Sequence, residues 1–247
     1  MATKKYKVKG ISSLPLLDSP SVNGKTVKNV SKGTALDIVD GYKKTVTENG
    51  VSRTYFKVKL KNKKVYAESK YLKSWKRADQ VVYAAKKYSK EMLNGKWYYR
   101  SSSHKAGKTF EASKKGSKGS SCAYFASWCM QFAGVVKPKG IVSHTKAGGN
   151  KNTISKVMTG KSAIKNGKII FPVNKSIAKY KDKLKPGDII IHDSSIEVYI
   201  GKVNGKPTVI TGRNGAAINK NGRYVKMKFT SGYEFTHNIL AIVRPKG

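Results

Sequence analysis

The 247-residue chain carries 51 Lys+Arg against 13 Asp+Glu, a formal net charge of +38 at pH 7, with 38% hydrophobic and 10% aromatic residues. Such a length suits one or two domains with a sizeable core, and the apolar residues fall in periodic runs, which excludes a wholly disordered chain. No stretch approaches the roughly 18 consecutive apolar residues of a membrane span, and the start, Met1-Ala2-Thr3-Lys4-Lys5, lacks the apolar core of a secretory signal peptide.

Forty-five of the basic residues are lysine and only six are arginine. Lysine is a hydrated point charge, whereas arginine reads phosphates and base edges bidentately. The bias argues against sequence-specific nucleic-acid recognition. It fits non-specific attraction to a polyanion, whether nucleic acid, teichoic acid or an anionic cell surface. An AT-rich coding sequence writes the same surface lysines without any partner. The two cysteines, Cys122 and Cys129, form no disulfide framework, and on a helix they stand about 10 Å apart along the axis, too far to bridge. His104, His144, His192 and His237 show no metal-ligand spacing with them, and no glycine-rich phosphate loop is present, so no metal and no cofactor is expected.

Residues 6 to 75 read as short strands. Asn23-Gly24 and Asn49-Gly50 are hairpin-type turns. Thr34 to Val39 is a strand candidate, Thr54 to Leu60 alternates with period two, and Asn62-Lys63-Lys64 is a further tight turn before Val65-Tyr66-Ala67. This spacing predicts a small barrel or sandwich. The segment resembles a bacterial SH3 domain through Leu14 to Ser21, Lys32-Gly33-Thr34, Tyr55 to Leu60 and Val65 to Leu72, in the correct order, with Leu17 and Val65 as departures. The resemblance implies an N-terminal all-β SH3-like barrel over residues 1–75 that binds cell-wall peptide or acts as a spacer.

From about Asp79 the pattern becomes helical. Val81, Ala85, Tyr88 and Met92 form one apolar stripe, ended by Asn94-Gly95. Residues 101 to 121, rich in Ser, Lys and Gly, read as an irregular loop. A second helix is expected from about Ser121 to Phe132, burying Phe125, Trp128 and Phe132 and capped by Gly134. Residues 135 to 181 give no clear pattern. Strands are expected at Gly187–Ile191, Ile196–Ile200, Pro207–Thr211, Tyr224–Phe229 and Ile239–Val243. Helices followed by an antiparallel run indicate an α+β domain over residues 76–247.

Cys122 follows Ser120-Ser121, which can cap the helix. A thiol in the first helical turn feels the positive end of the macrodipole and unpaired N–H groups, which favour the nucleophilic thiolate. Residues 112 to 181 contain no Asp or Glu, which acts in the same direction. Cys129 reads as a small buried hydrophobe.

The run Ser121 to Val135 resembles the nucleophile helix of CHAP amidases. Leu184 to Ile191, Ser194 to Lys206, Thr208 to Asn214 and Ala241 to Pro245 resemble later segments of that family in order, and NlpC-type peptidases share the layout. The resemblance implies a papain-like cysteine hydrolase that cuts peptidoglycan amide bonds, with Cys122 as nucleophile. A base, usually His, and an orienting group are then needed. The family's His falls on Ser195 and its Glu on Thr211, so both positions are substituted. Asn214 can still orient an imidazole. A two-residue turn at Asp193-Ser194 puts His192 opposite Ser195 and on its face, from which it can approach Cys122. A one-residue slip sends it to the other face. Otherwise His192 is an exposed hairpin residue. His104 and His144 lie in loops that can approach Cys122, His237 reads as structural, and Glu197 shares the Ser195 face.

Three functions follow as expectations. One is a degenerate relative that binds peptidoglycan or an anionic wall polymer such as teichoic acid, as a wall-binding or phage-virion module among virion proteins. Another is an active amidase or endopeptidase acting through Cys122 and His192. A third is a non-specific nucleic-acid-binding protein. Wall-directed modules without a signal peptide suggest a phage product, carried in the virion or released at lysis.

Overall fold

The computed structural model describes residues 3–60, 63–95, 97–99, 105–146, 156–171, 182–193, 195–212 and 239–247. The chain divides into two compact units, Met1–Lys76 and Arg77–Gly247.

The first unit is one antiparallel sheet. Its strands are β1 (Thr3–Val8), β2 (Ser13–Leu17), β3 (Thr26–Ser31), β4 (Ala35–Glu48), β5 (Val51–Leu60), β6 (Lys63–Glu68) and β7 (Leu72–Ser74), in the order β3-β2-β6-β5-β4-β1-β7. Asn49 (φ 53°) and Gly50 (φ 75°) make the two-residue β4–β5 turn, since Asn and Gly tolerate positive φ. The turn expected at Asn62 lies outside the described residues, although Leu60 pairs with Lys63 across it. Phe56, Val58 and Leu60 alternate into the core as the period-two pattern of β5 requires.

Chain connectivity forces this sheet to curl. Ser31 ends β3 and Ala35 begins β4, yet these strands stand four spacings apart in the order. In a flat sheet that is about 19 Å at about 4.8 Å per spacing. Four residues span at most about 14 Å. The register jump in β4 between Ile38 and Lys43, around Gly41 at φ 78°, supplies a bend. Val8, Leu14, Leu16, Val30, Leu36, Ile38, Val58, Val65, Ala67 and Leu72, drawn from all seven strands, then share one core. Among the described residues β3 and β7 form no ladder with each other, so the sheet is curled but open, without the closure expected of a barrel.

The second unit begins with helix α1 (Arg77–Asn94). Val81, Ala84, Ala85, Tyr88 and Met92 form its buried stripe, as the apolar spacing predicts. Strand β8 (Tyr98–Tyr99) pairs in parallel with β9 (Gly119–Ser120). Between them, the stretch expected to be irregular contains helix α2 (Phe110–Lys115). Thr109 caps it by accepting from the Ala112 N–H at 3.1 Å, and Phe110 anchors it by stacking on Tyr88 at 3.9 Å. Helix α3 (Cys122–Phe132) follows, then β10 (Ser143–Lys146) and β11 (Lys156–Thr159), which pair with each other.

The remaining strands, β12 (Gly167–Ile170), β13 (Ile189–His192), β14 (Ile196–Val203), β15 (Lys206–Ile210) and β16 (Ile239–Pro245), form an antiparallel sheet in the order β12-β16-β13-β14-β15. The strand expected at Tyr224–Phe229 lies outside the described residues. Ile189, Ile191, Ile196, Val198, Ile210 and Val243 face a core shared with α1 and α3. The opposite face carries Ile190, Tyr199, Val209, Ile239 and Ile242. The mostly β unit with few helices matches the α+β expectation.

Gly187, just before β13, sits at φ 94°, where a Cβ would lie 2.7 Å from both the Cα and the carbonyl oxygen of Ala78 in α1. Only glycine admits this approach. Gly187→Ala is expected to lower stability by about 2 kcal/mol, read as a lower urea midpoint at unchanged slope.

Candidate functional site

Helix α3 builds one side of the candidate site. Ser121 is extended (φ −149°, ψ 172°), and its Oγ accepts from the Tyr124 N–H at 3.4 Å. This is the cap anticipated from the sequence. Cys122 is the first helical residue and is only 2% exposed. The first turn contains no acidic residue. Among the described residues, none hydrogen-bonds the Cys122 thiol. Cys129 is fully buried, and desolvation pushes its thiol well above the usual range. Gly134, at φ 64°, ends the helix, and the Val135 N–H returns to the Met130 carbonyl at 2.8 Å.

Polar residues of α3 fix the loops around it. The Val142 N–H donates to Ser127 Oγ at 2.9 Å, and that hydroxyl donates to the Val142 carbonyl. Gln131 Nε2 donates to the carbonyls of Lys108 and Gly140, both at 2.9 Å, and Trp128 Nε1 to that of Gly107 at 3.2 Å. Loop backbone that would otherwise lack partners is satisfied in this way.

The β13–β14 hairpin carries the other candidates. Ile191 pairs with Ile196 and Ile190 with Glu197, and the His192 N–H donates to the Ser195 carbonyl at 2.9 Å. His192 therefore stands opposite Ser195, the register expected of a two-residue turn; Ser194 lies outside the described residues. The imidazole does not stay exposed. It is 1% accessible, and its Nε2 lies 3.2 Å from Oε2 of the equally buried Glu197.

Pleating decides which way this pair faces. Glu197 lies between Ile196 and Val198, which both join the core shared with α3. Its cross-strand partner Ile190 belongs to the opposite face. His192 pairs across the β13–β16 bulge with Ile239, also of that opposite face. His192, Ser195 and Glu197 thus occupy the face turned away from the α3 core. Ser195 Oγ lies 3.5 Å from Thr211 Oγ1, which donates to the Ile196 carbonyl at 2.8 Å. The sheet gathers His192, Glu197, Ser195 and Thr211, while Cys122 belongs to the apolar cluster that holds Ile196 and Val198. Asn214, His104 and His237 lie outside the described residues, and His144 lies on β10 opposite Met158.

A buried clamp went unnoticed in the sequence. Arg244 of β16 donates from Nε to Asp188 Oδ1 at 2.9 Å and from an Nη to Oδ2 at 2.7 Å, and the Lys185 N–H donates to the same Oδ2 at 2.8 Å. The bond to Asp188 raises the guanidinium pKa further. The sequence signal was a lone Asp after Pro186-Gly187 in a lysine-rich stretch. Its geometry fits anchoring of the turn before β13. Among the described residues, no group of three or more His, Cys, Asp or Glu can hold a metal ion, and no helix is long and apolar enough to cross a membrane.

No family model and no curated protein matches the chain. Among solved structures, NlpC1 from Trichomonas vaginalis is similar at a TM-score of 0.38 and 15% identity, covering 98% of this chain and 69% of that one. NlpC2 from the same organism is similar at a TM-score of 0.36 and 12% identity, covering 98% and 97%. TM-scores this low carry neither fold nor function.

Removing one partner of the His192–Glu197 pair strands a buried polar group. Glu197→Ala is expected to cost about 3 kcal/mol in urea denaturation, while His192→Leu with Glu197→Leu costs clearly less than the two single changes together. Iodoacetamide at neutral pH is expected to leave Cys129 unmodified in the folded protein and to label it after unfolding, as peptide mass spectrometry would show.

Proposed function

We propose that the chain is a wall-directed protein whose second unit keeps the frame of a CHAP/NlpC-type cysteine hydrolase without a working catalytic base. In this reading it binds peptidoglycan or an anionic wall polymer such as teichoic acid, as a wall-binding or phage-virion module. The first unit serves as an SH3-like accessory domain. The observation that carries the reading is the placement of the imidazole. His192 is bound to Glu197, and the positions assigned to the family's His and Glu hold Ser195 and Thr211, which contact each other. Among the described residues no hydrogen bond joins an imidazole to the Cys122 thiol, and a thiol that lacks such a base has no route for proton transfer to a leaving amine.

Binding needs no such chemistry. A charge of +38, mostly lysine, attracts a polymer of phosphates at long range and releases its counterions on contact. The lysine bias favours a repeating anionic polymer over a base sequence.

Sedimentation with purified sacculi tests the proposal. Expected are binding without release of new amino groups, an affinity unchanged within about twofold by Cys122→Ala, and a fall of at least about tenfold between 50 and 200 mM salt. Release of amino groups that disappears in Cys122→Ala would instead establish an active amidase or endopeptidase. Displacement of the protein from sacculi by duplex DNA at equal phosphate would favour the nucleic-acid reading.

A further inference from the structure

Helix α1 carries a second stripe besides the one in the core. Lys86, Ser89, Lys90 and Leu93 follow i, i+3, i+4 and i+7, so they share one face. This face forms one wall of a cavity of about 400 Å³ whose other side is the β14–β15 hairpin, with Ile200 and Thr208 in its lining. That volume falls within the range of small-molecule sites, about 300–1,000 Å³. Ile200 is 9% exposed and Thr208 2%, whereas Leu93 is 40% exposed and adds accessible apolar surface to the lining.

The polar groups narrow the ligand class. Ser89 Oγ–H already donates to the Lys86 carbonyl at 3.1 Å, and Thr208 Oγ1–H to the Lys206 carbonyl at 2.9 Å. Neither hydroxyl has a proton left for an anion. The exposed lysines Lys86 and Lys90 lie one turn apart, where like charges repel, and no acidic residue lines the cavity. The acid next in sequence, Glu91, is bound to Lys114 at 2.7 Å. The exposed donors of the lining are thus the two lysines and the amide of Asn94, and Leu93, Ile200 and Val203 supply apolar surface beside the satisfied hydroxyls.

We propose that this cavity binds an amphipathic anion, a single phosphate or carboxylate on an apolar chain. The head group lies between Lys86 and Lys90, and the chain covers Leu93 and Ile200. A purely polar anion leaves the apolar lining uncovered, and a neutral apolar molecule leaves the two lysines unscreened. The site requires neither the Cys122 region nor a wall polymer, so it can fail or hold independently of the function proposed above.

Calorimetric titration of the full chain with octyl phosphate, below its micelle concentration, tests the proposal. One saturable site is expected. Lys86→Gln with Lys90→Gln should weaken it about tenfold or more, and inorganic phosphate and octanol should each bind at least about tenfold more weakly. Lys63→Gln with Lys64→Gln removes the same charge from exposed positions of the first unit and should leave the affinity unchanged. Equal weakening by both double variants would assign the effect to overall charge and overturn the site. Inorganic phosphate binding as tightly as octyl phosphate, or no saturable binding at all, would overturn it too.

Discussion

The second unit depends on the register of the β13–β14 hairpin. Once Ile191 pairs with Ile196, the pleat commits every side chain of both strands to a face. Ile189, Ile191, Ile196 and Val198 fill the core beneath α1 and α3, and no other assignment buries them there. His192, Ser195 and Glu197 are then carried to the opposite face together. At roughly 25 cal/mol per Å² of buried apolar area, four such side chains outweigh any single polar contact that a slipped register would gain. The apolar pattern of the hairpin therefore decides the chemical environment of its histidine.

Helix α3 obeys a constraint of a different kind. Its apolar side is buried almost completely, so its polar residues must find partners within the fold. Ser127 and Gln131 bond loop backbone, and Ser121 closes the N-terminus. The aromatic set of Tyr88, Trp97, Phe110 and Trp128 joins α1, α2 and α3 with ring centroids 3.9 to 6.1 Å apart. Cys122 is thus held at the head of a rigid helix. His192 comes from a separate element, the β13–β14 hairpin, where it is bound to Glu197.

Charge is distributed by similar rules. Among the described residues several carboxylates are engaged: Asp188 is clamped by Arg244, Glu197 by His192, Glu91 by Lys114, and Glu48 accepts from Ser21 and the Val22 N–H. With 13 acids against 51 basic residues, most lysines have no protein counter-charge and remain available to an external anion. The same imbalance suits the cavity along α1 to an amphipathic anion.

Local pattern was enough to read much of this protein from its residues. Asn49-Gly50 tolerates positive φ and makes its turn, the stripe from Val81 to Met92 has helical period and forms α1, and Ser121 with Gly134 brackets α3. Even the pairing of His192 with Ser195 follows from a two-residue turn. Helix α2 escaped because its six residues are polar and lysine-rich; stacking of Phe110 on Tyr88, a contact across the fold, holds it in place. The Asp188–Arg244 clamp joins residues 56 apart, which no local pattern connects. The decisive matter of which face His192 occupies relative to Cys122 belonged to tertiary structure alone. Alternation along a strand fixes which residues share a face, but only the packing of helices against one side determines which face that is.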